Sequence, residues 1–235
     1  LEDFFLRNDD EDKNTIASDK LWSIQGINNW EGVFPRSSPA RYKDCILFGT
    51  NESRFMCIDS RTGLEKWSYD INQDLEKGGD AHKKAILSSP IVLDGKVIFG
   101  AYNGFLYCLD AEDGTVIWKN MVTDFIGSSP AYHDGLIYIG LEYRGRKGGF
   151  GAYSIKDGHK VWEISGDNFT HSSPAVSESR KIAVCGCNDG FIYAADSKTG
   201  DLRWKYNIGK PIKAGFAIDE ETGFVFFGSF DGMVH

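Results

Sequence analysis

Residues 57–67 read CIDSRTGLEKW, and the chain repeats this phrase three more times. The other copies are CLDAEDGTVIW at 108–118, AYSIKDGHKVW at 152–162 and AADSKTGDLRW at 194–204. In every copy a glycine stands four residues before the tryptophan, and successive tryptophans are 51, 44 and 42 residues apart. A period in the forties, made of short β-rich segments, is typical of units that stack on one another, as propeller blades do.

A second phrase, Ser-Ser-Pro, precedes each copy and begins at residue 37, 88, 128 or 172. Pairs such as Asp94-Gly95 and Asn103-Gly104, which stand between apolar runs, predict tight hairpin turns. The proline suits the start of a strand, because it has no amide hydrogen to donate. We therefore predict an all-β propeller with four antiparallel strands per blade, named A to D from the Ser-Ser-Pro strand to the tryptophan strand.

The pattern A/C-x-D-x-x-T-G-x-x-x-W resembles the tryptophan-docking repeat of PQQ-like (quinoprotein alcohol dehydrogenase-like) β-propellers, and the resemblance extends from Trp22 to His235. It implies that the repeated tryptophans are structural docking residues. These are Trp22, Trp67, Trp118, Trp162 and Trp204. For members that bind pyrroloquinoline quinone (PQQ), it implies a calcium ion and a disulfide between adjacent cysteines. This chain has no adjacent cysteines, and its nearest approach is Cys185-Gly186-Cys187.

The strand count predicts four complete blades with a partial blade at each end, and therefore an incomplete or truncated ring. The complete blades are 37–67, 88–118, 128–162 and 172–204, in a propeller domain at 20–235 that follows an acidic lead-in at 1–19. An orphan tryptophan strand occupies 20–24, and residues 214–235 supply strands A and B and the beginning of strand C of a fifth blade. Two explanations stay open: further blades or domains follow His235, or the orphan strand closes the fifth blade.

Composition argues against several classes of partner. The net charge of −8 argues against nucleic acid, and the chain has no run of about 18 apolar residues that would span a bilayer. The five cysteines favour free buried thiols, because Cys57 and Cys108 occupy a repeat position that is alanine in the other blades. Free thiols favour the cytoplasm, whereas the family resemblance implies a periplasmic or secreted protein, so the compartment stays open.

Two insertions fall on the face of the propeller where the D-to-A and B-to-C connections emerge. The connection at 68–87 has 20 residues where its three counterparts have nine. The interval from Gly140 to Ala152 is 12 residues, whereas the interval from Gly100 to Cys108 is 8. Insertions on one rim of a rigid scaffold are where binding function tends to lie.

Cationic side chains gather on this face of an otherwise acidic chain. Some precede the Ser-Ser-Pro strands, close to the central channel, and others lie in the two insertions. The candidate binding residues are Arg36, His82, Tyr143, Arg144, Arg146, Lys147, His171 and Lys213. We expect them to bind a small anionic ligand or an acidic segment of a protein partner.

The sequence shows no catalytic constellation. The five histidines lack the spacing of zinc sites, and no nucleophile elbow, phosphate-binding loop or dinucleotide fingerprint is present. The Ser-Ser-Pro serines recur in four blades, which indicates a structural role. We expect a non-catalytic binding platform without cofactor or metal. The alternatives are part of a PQQ-dependent and calcium-dependent quinoprotein oxidoreductase, or a sensor domain of a larger enzyme.

Overall fold

A computed structural model describes residues 37–75 and 84–235, which form five successive antiparallel sheets. The strands of blades one and two are β1 (Ala40–Tyr42), β2 (Cys45–Gly49), β3 (Arg54–Asp59), β4 (Glu65–Asp70), β5 (Ile91–Leu93), β6 (Lys96–Gly100), β7 (Phe105–Asp110) and β8 (Val116–Met121). Those of blades three and four are β9 (Ala131–His133), β10 (Leu136–Tyr143), β11 (Lys147–Ser154), β12 (Lys160–Gly166), β13 (Ala175–Ser177), β14 (Ile182–Gly186), β15 (Phe191–Asp196) and β16 (Leu202–Asn207). Blade five is partial, with β17 (Phe216–Ile218) and β18 (Val225–Phe227).

The predicted fold class is confirmed. Each of blades one to four is a meander of four antiparallel strands in chain order, and the partial fifth blade pairs β17 with β18. A bridge between Gly228 and Val234 begins its third strand. The acidic lead-in, the orphan strand with Trp22, Arg36 and His82 lie outside the described residues.

Tryptophan from one blade packs on a glycine of the next blade. A β-carbon on Gly114 would lie 2.5 Å from Cε3 of Trp67, and one on Gly158 would lie 2.5 Å from Cζ3 of Trp118. These glycines end the turns between strands C and D, at 110–114 and 154–158, and both have positive φ angles. Only glycine meets both conditions, the left-handed backbone and the close indole ring.

The same contact joins blades three and four, and it is missing after blade four. A β-carbon on Gly200 would lie 2.6 Å from Cγ of Trp162, and Trp162 is only 7% exposed. Trp204 is 40% exposed, and the described residues include no glycine turn that covers it. The docking interpretation therefore fits Trp67, Trp118 and Trp162, while Trp204 stays partly open to solvent.

The apolar cores lie between blades and not within them. One core joins blades one and two, where the rings of Phe55 and Phe99 stack at 4.0 Å and the ring of Tyr107 lies 5.0 Å from that of Phe99. Similar clusters join blades two and three, three and four, and four and five. Each of blades two to four therefore buries its two faces against its neighbours, as expected for a stacked repeat.

The Ser-Ser-Pro phrases form a hydrogen-bonded ladder from blade to blade. The Ser38 amide donates to Oγ of Ser89 at 2.8 Å, and the Ser89 amide donates to Oγ of Ser129 at 2.9 Å. The Ser129 amide in turn donates to Oγ of Ser173 at 3.0 Å. We call these four residues the serine ladder. Because each rung joins equivalent positions in adjacent blades, the ladder fixes how the first strands are spaced around the axis.

The first serine of each phrase acts within its own blade. Its hydroxyl accepts a hydrogen bond from the amide of the glycine that ends strand B, at 2.7 Å for Ser128 and Gly140.

Within residues 37–75 and 84–235, the sole helix is a four-residue 3-10 turn, Ile71–Asp74. No helix of this part is therefore long and apolar enough to cross a membrane.

Candidate functional site

The second insertion is a longer β-hairpin and not an irregular loop. Strands β10 and β11 pair over eight residues each, and the pairing continues to Tyr143 opposite Lys147. A three-residue turn, 144–146, closes the ribbon, with positive φ angles of 79° at Gly145 and 59° at Arg146. The insertion therefore projects Arg144, Arg146 and Lys147 beyond the rim. We call these three residues the hairpin tip.

The ribbon below the hairpin tip is held on its open side by the connection that precedes blade three. Phe125 forms an antiparallel bridge with Glu142, and Oγ1 of Thr123 donates to the Glu142 carbonyl at 2.6 Å. On the other side, the Tyr143 hydroxyl donates to Oε1 of Glu163 at 2.8 Å. Burial raises the pKa of Tyr143, so its hydroxyl stays protonated and donates. The ribbon is thus a rigid element bonded along both edges.

The three cations of the hairpin tip differ in their contacts. Arg144 is 72% exposed and forms an ion pair with Asp124, with Nε 3.5 Å from Oδ1. Its amide also donates to Oδ2 of Asp124 at 3.0 Å, which fixes the backbone of the turn. Arg146 and Lys147 are exposed, and the described residues give neither an acidic partner. At Arg146 and Lys147 the hairpin tip therefore offers positive charge that no acidic residue in the described part of the chain neutralises.

Residues from three connections and from strand β10 meet around Gly127, immediately before the Ser-Ser-Pro strand of blade three. Oε1 of Glu142 lies 3.0 Å from Nδ1 of His171 and accepts the Gly127 amide at 3.1 Å. A β-carbon on Gly127 would lie 3.2 Å from Cε1 of Tyr102 and 2.8 Å from Oε1 of Glu142. We call Tyr102, Gly127, Glu142 and His171 the Gly127 cluster.

The Gly127 cluster buries a carboxylate beside an imidazole. The Glu142 side chain is 5% exposed and that of His171 is 18% exposed. This contact is an ion pair when the imidazole is protonated, and Nδ1 makes no hydrogen bond within the described residues. His171 was a candidate from the sequence, whereas Glu142 was missed. The sequence feature that could have indicated Glu142 is an acidic residue that directly follows the apolar residues of strand β10.

Lys213 lies on the same side of the molecule, in the connection before the partial fifth blade. Its side chain is exposed, and Nζ lies 5.1 Å from the ring centroid of Phe230. The Ser172 hydroxyl donates to the Ala214 carbonyl at 2.8 Å, so the segment with Lys213 runs beside the segment with His171. The structure therefore places these two candidates on adjacent connections, and the hairpin tip one blade away.

The first insertion begins with a buried polar cluster. The Asp74 carboxylate accepts the hydroxyls of Tyr69 at 2.8 Å and Tyr107 at 3.0 Å, and it forms an ion pair with Lys119. Burial raises the pKa of both tyrosines, so both hydroxyls stay protonated. These bonds anchor the connection between blades one and two as it leaves β4. His82, the candidate in this connection, lies outside the described residues.

The cysteines do not reproduce the vicinal pair that the resemblance implies for a quinone site. All five thiols are free and buried, and burial raises the pKa of Cys57 to about 12 and of Cys108 to about 11. Cys185 and Cys187 hydrogen-bond to backbone carbonyls, Cys187 to that of Asn168 at 3.1 Å. In residues 37–75 and 84–235, no three His, Cys, Asp or Glu side chains converge as metal ligands.

Known proteins similar to this chain include outer membrane protein assembly factors and quinohemoprotein alcohol dehydrogenases. A family profile described as "Outer membrane protein assembly factor BamB" matches residues 72–219, more than half of the chain. The assembly factor BamB of Yersinia pestis is 24% identical over 202 residues, which are 83% of this chain and 50% of that protein. The quinohemoprotein alcohol dehydrogenase ADH IIB of Pseudomonas putida is 25% identical over 233 residues, which are 94% of this chain and 31% of that protein. The chain thus spans half or less of these relatives.

Solved structures share the architecture. The quinohemoprotein alcohol dehydrogenase of Comamonas testosteroni superposes with a TM-score of 0.66 at 18% identity, over 83% of this chain and 40% of that one. At this identity the similarity concerns the fold and not the activity. The profile match, in contrast, covers most of the repeats described above. The chain therefore belongs to the PQQ-like β-propeller family.

Proposed function

We propose that this propeller is a non-catalytic platform that binds an acidic segment of a protein partner through the hairpin tip and the adjoining rim. The observation that carries this proposal is the β10–β11 ribbon, which holds cationic side chains beyond the rim of a chain with a net charge of −8. A local positive surface on an acidic protein selects acidic partners and steers their approach.

The rigidity of the ribbon supports a binding role. Its two strands pair over their whole length, and its edges are bonded to Phe125 on one side and to β12 on the other. A surface that is already ordered loses little conformational entropy when a partner binds. The ribbon therefore meets the physical requirement for a preformed docking element.

The relatives support the same class of function. The Yersinia pestis relative is, by its name, an outer membrane protein assembly factor, and it is matched over 83% of this chain. A protein that assists assembly acts through contact with other proteins. Because the present chain covers 50% of that relative, its own partner is a matter for experiment.

Reversal of the tip charge tests the proposal. Arg144→Glu with Arg146→Glu should weaken binding of a fluorescein-labelled peptide of alternating Glu and Leu by about tenfold or more, since charge attraction at the tip becomes repulsion. Fluorescence anisotropy measures the affinity, and circular dichroism checks that the fold is retained.

A matched control carries the same charge change on the opposite face. Arg61 and Lys156 lie in turns between strands C and D of blades one and three, and both are exposed. Arg61→Glu with Lys156→Glu alters the net charge equally and should leave peptide affinity within about twofold of the wild type. Charges that are separated from the bound peptide by more than the screening length interact with it only weakly. Equal losses in the two double variants would show that binding follows net charge and not the hairpin tip.

A second candidate function is part of a quinoprotein oxidoreductase. The similarity to the Pseudomonas putida quinohemoprotein alcohol dehydrogenase over 94% of this chain favours it. Equilibrium dialysis of the purified protein against PQQ and Ca²⁺ tests this candidate. Stoichiometric, calcium-dependent retention of the quinone would favour the oxidoreductase over the platform.

A further inference from the structure

The serine ladder ends at blade four. In blades two to four, the second serine of the phrase supplies the hydroxyl that accepts the amide of the preceding blade. The equivalent position in blade five is Gly215, which has no hydroxyl. Among the residues that the structure describes, the Ser173 amide consequently has no hydrogen-bond acceptor, unlike the amides of Ser38, Ser89 and Ser129.

The position of the missing hydroxyl is open. A β-carbon built on Gly215 would have only one neighbour within 4 Å, Cβ of Ser173 at 3.8 Å. The backbone on both sides is nevertheless fixed, because the Phe216 amide donates to the Ser173 carbonyl at 3.3 Å. The two connections therefore lie side by side with space between an amide donor and a glycine.

A lysine stands next to this space in the chain. Lys213 lies two residues before Gly215, and its side chain is exposed. The hydrogen bond from the Ser172 hydroxyl to the Ala214 carbonyl holds this segment beside the segment of Ser173. The ring of His171 lies instead against Glu142 of blade three, with Nδ1 3.0 Å from Oε1.

The chemistry of this space favours a single carboxylate. An oxygen of the ligand would accept the Ser173 amide in the place that a serine hydroxyl fills in the other blades. The Lys213 ammonium would complement its charge. A dianion such as phosphate fits less well, because one lysine would balance only one of its two charges.

We propose that the Ser173 amide and Lys213 form a carboxylate-binding site between blades four and five. This inference deepens the proposed function, since it supplies an anchor for one acidic side chain or the carboxyl terminus of the partner segment. The hairpin tip gives general attraction, whereas this site recognises one carboxylate group.

A titration with glutarate tests the site without a partner protein. The Ser173 amide resonance in a ¹H–¹⁵N spectrum should shift saturably with glutarate, because its hydrogen gains an acceptor. Gly215→Ser restores the missing rung and should weaken glutarate binding at least tenfold while the fold is retained. Ala217→Ser adds the same hydroxyl at an exposed strand position and should keep wild-type affinity.

A second variant covers the case in which Gly215→Ser does not fold. Lys213→Gln removes one cation from an exposed position and should weaken glutarate binding several-fold. The absence of a saturable Ser173 shift in the wild type, or equal glutarate affinity in wild type, Gly215→Ser and Lys213→Gln, would overturn the site. Arg144→Glu with Arg146→Glu should leave glutarate binding unchanged. The peptide assay therefore tests the hairpin tip, and the glutarate titration tests the carboxylate site independently of it.

Discussion

The contact between an indole ring and a glycine is the residue-scale basis of this fold. Trp67, Trp118 and Trp162 each rest on the glycine of the turn between strands C and D of the following blade. The Nε1 groups of Trp118 and Trp162 also donate to carbonyls of that blade, each at 3.0 Å. The ring therefore combines a large buried apolar area with a directed hydrogen bond.

Substitution of a docking glycine should cost more than substitution of a glycine that only turns the chain. Gly200 and Gly135 have similar φ angles, 77° and 81°, so alanine is strained at both. At Gly200 the new methyl would also lie 2.6 Å from Trp162, whereas nothing lies within 4 Å at Gly135. We expect Gly200→Ala to destabilise by about 1–3 kcal/mol more than Gly135→Ala, the range typical of overpacking.

Chemical denaturation of the two variants measures this difference in the free energy of unfolding. Equal losses would mean that the Trp162 ring moves aside without cost, which would contradict its role as a docking residue.

The sequence revealed the repeated residues but not their partners. The fixed spacing of glycine and tryptophan predicted a turn followed by a packed ring. It did not predict that the glycine under Trp162 is Gly200 of the next blade, because that contact depends on how blades stack. Repetition of the serines likewise indicated structure, while the donor and acceptor of each rung appear only in three dimensions.

At the scale of elements, the Asp turn between strands C and D is a self-contained hydrogen-bonded unit. In blade four, Arg203 donates to Oδ2 of Asp196 at 2.6 Å. The amides of Lys198 and Thr199 donate to Oδ1, each at 3.0 Å. The Arg203 guanidinium first, and the two amides second, lower the pKa of Asp196 to about 2.

This lowered pKa makes stability depend on pH in a defined direction. In the unfolded chain the Asp196 side chain has a pKa of about 3.9, so it binds its proton more tightly there than in the folded protein. The turn therefore contributes stability above about pH 4. That contribution is lost as the pH falls towards 2. Asp196→Asn should therefore be less stable than the wild type at neutral pH and lose less stability between about pH 4 and pH 2.

Denaturation midpoints in a pH series compare the two proteins. Parallel curves, with the same loss of stability on acidification, would show that Asp196 is not linked to folding.

The position of the second insertion could be predicted from the sequence, but its strand structure could not. Residue counting located it between Gly140 and Ala152 but did not indicate that it extends two strands. In the structure, Gly148 and Gly149 lie inside β11, where a β-carbon on Gly149 would lie 1.9 Å from the Ile164 carbonyl oxygen. These glycines permit close approach of strands, a use that the sequence alone does not separate from a turn.

At the scale of the whole molecule, stability is shared between neighbours. Every apolar cluster of the described residues lies between two adjacent blades, and the serine ladder joins blades one to four. A protein of this kind behaves as a linear array, in which each unit is stabilised by its own bonds and by its interfaces. Damage at one interface should therefore affect the two blades that form it.

The sequence predicted the class of this architecture well and the ends of the array less well. The repeats predicted four-stranded blades because local patterns define each strand. The environment of Trp204 was not predictable, since its exposure of 40% depends on which element follows it in space. The proposed roles of Arg36, His82 and Trp22 stay predictions, because these residues lie outside the described structure.

The central claim is that a tryptophan of one blade, packed on a glycine of the next blade, holds the two blades together. Amide hydrogen exchange of Trp162→Ala is its most direct test. The substitution should cost about 3–5 kcal/mol and raise exchange in blade three and in the β15–β16 turn of blade four, while blade one changes least. Trp204→Ala, at a ring that is 40% exposed, should leave all four blades protected. Loss of protection confined to blade three would contradict the account.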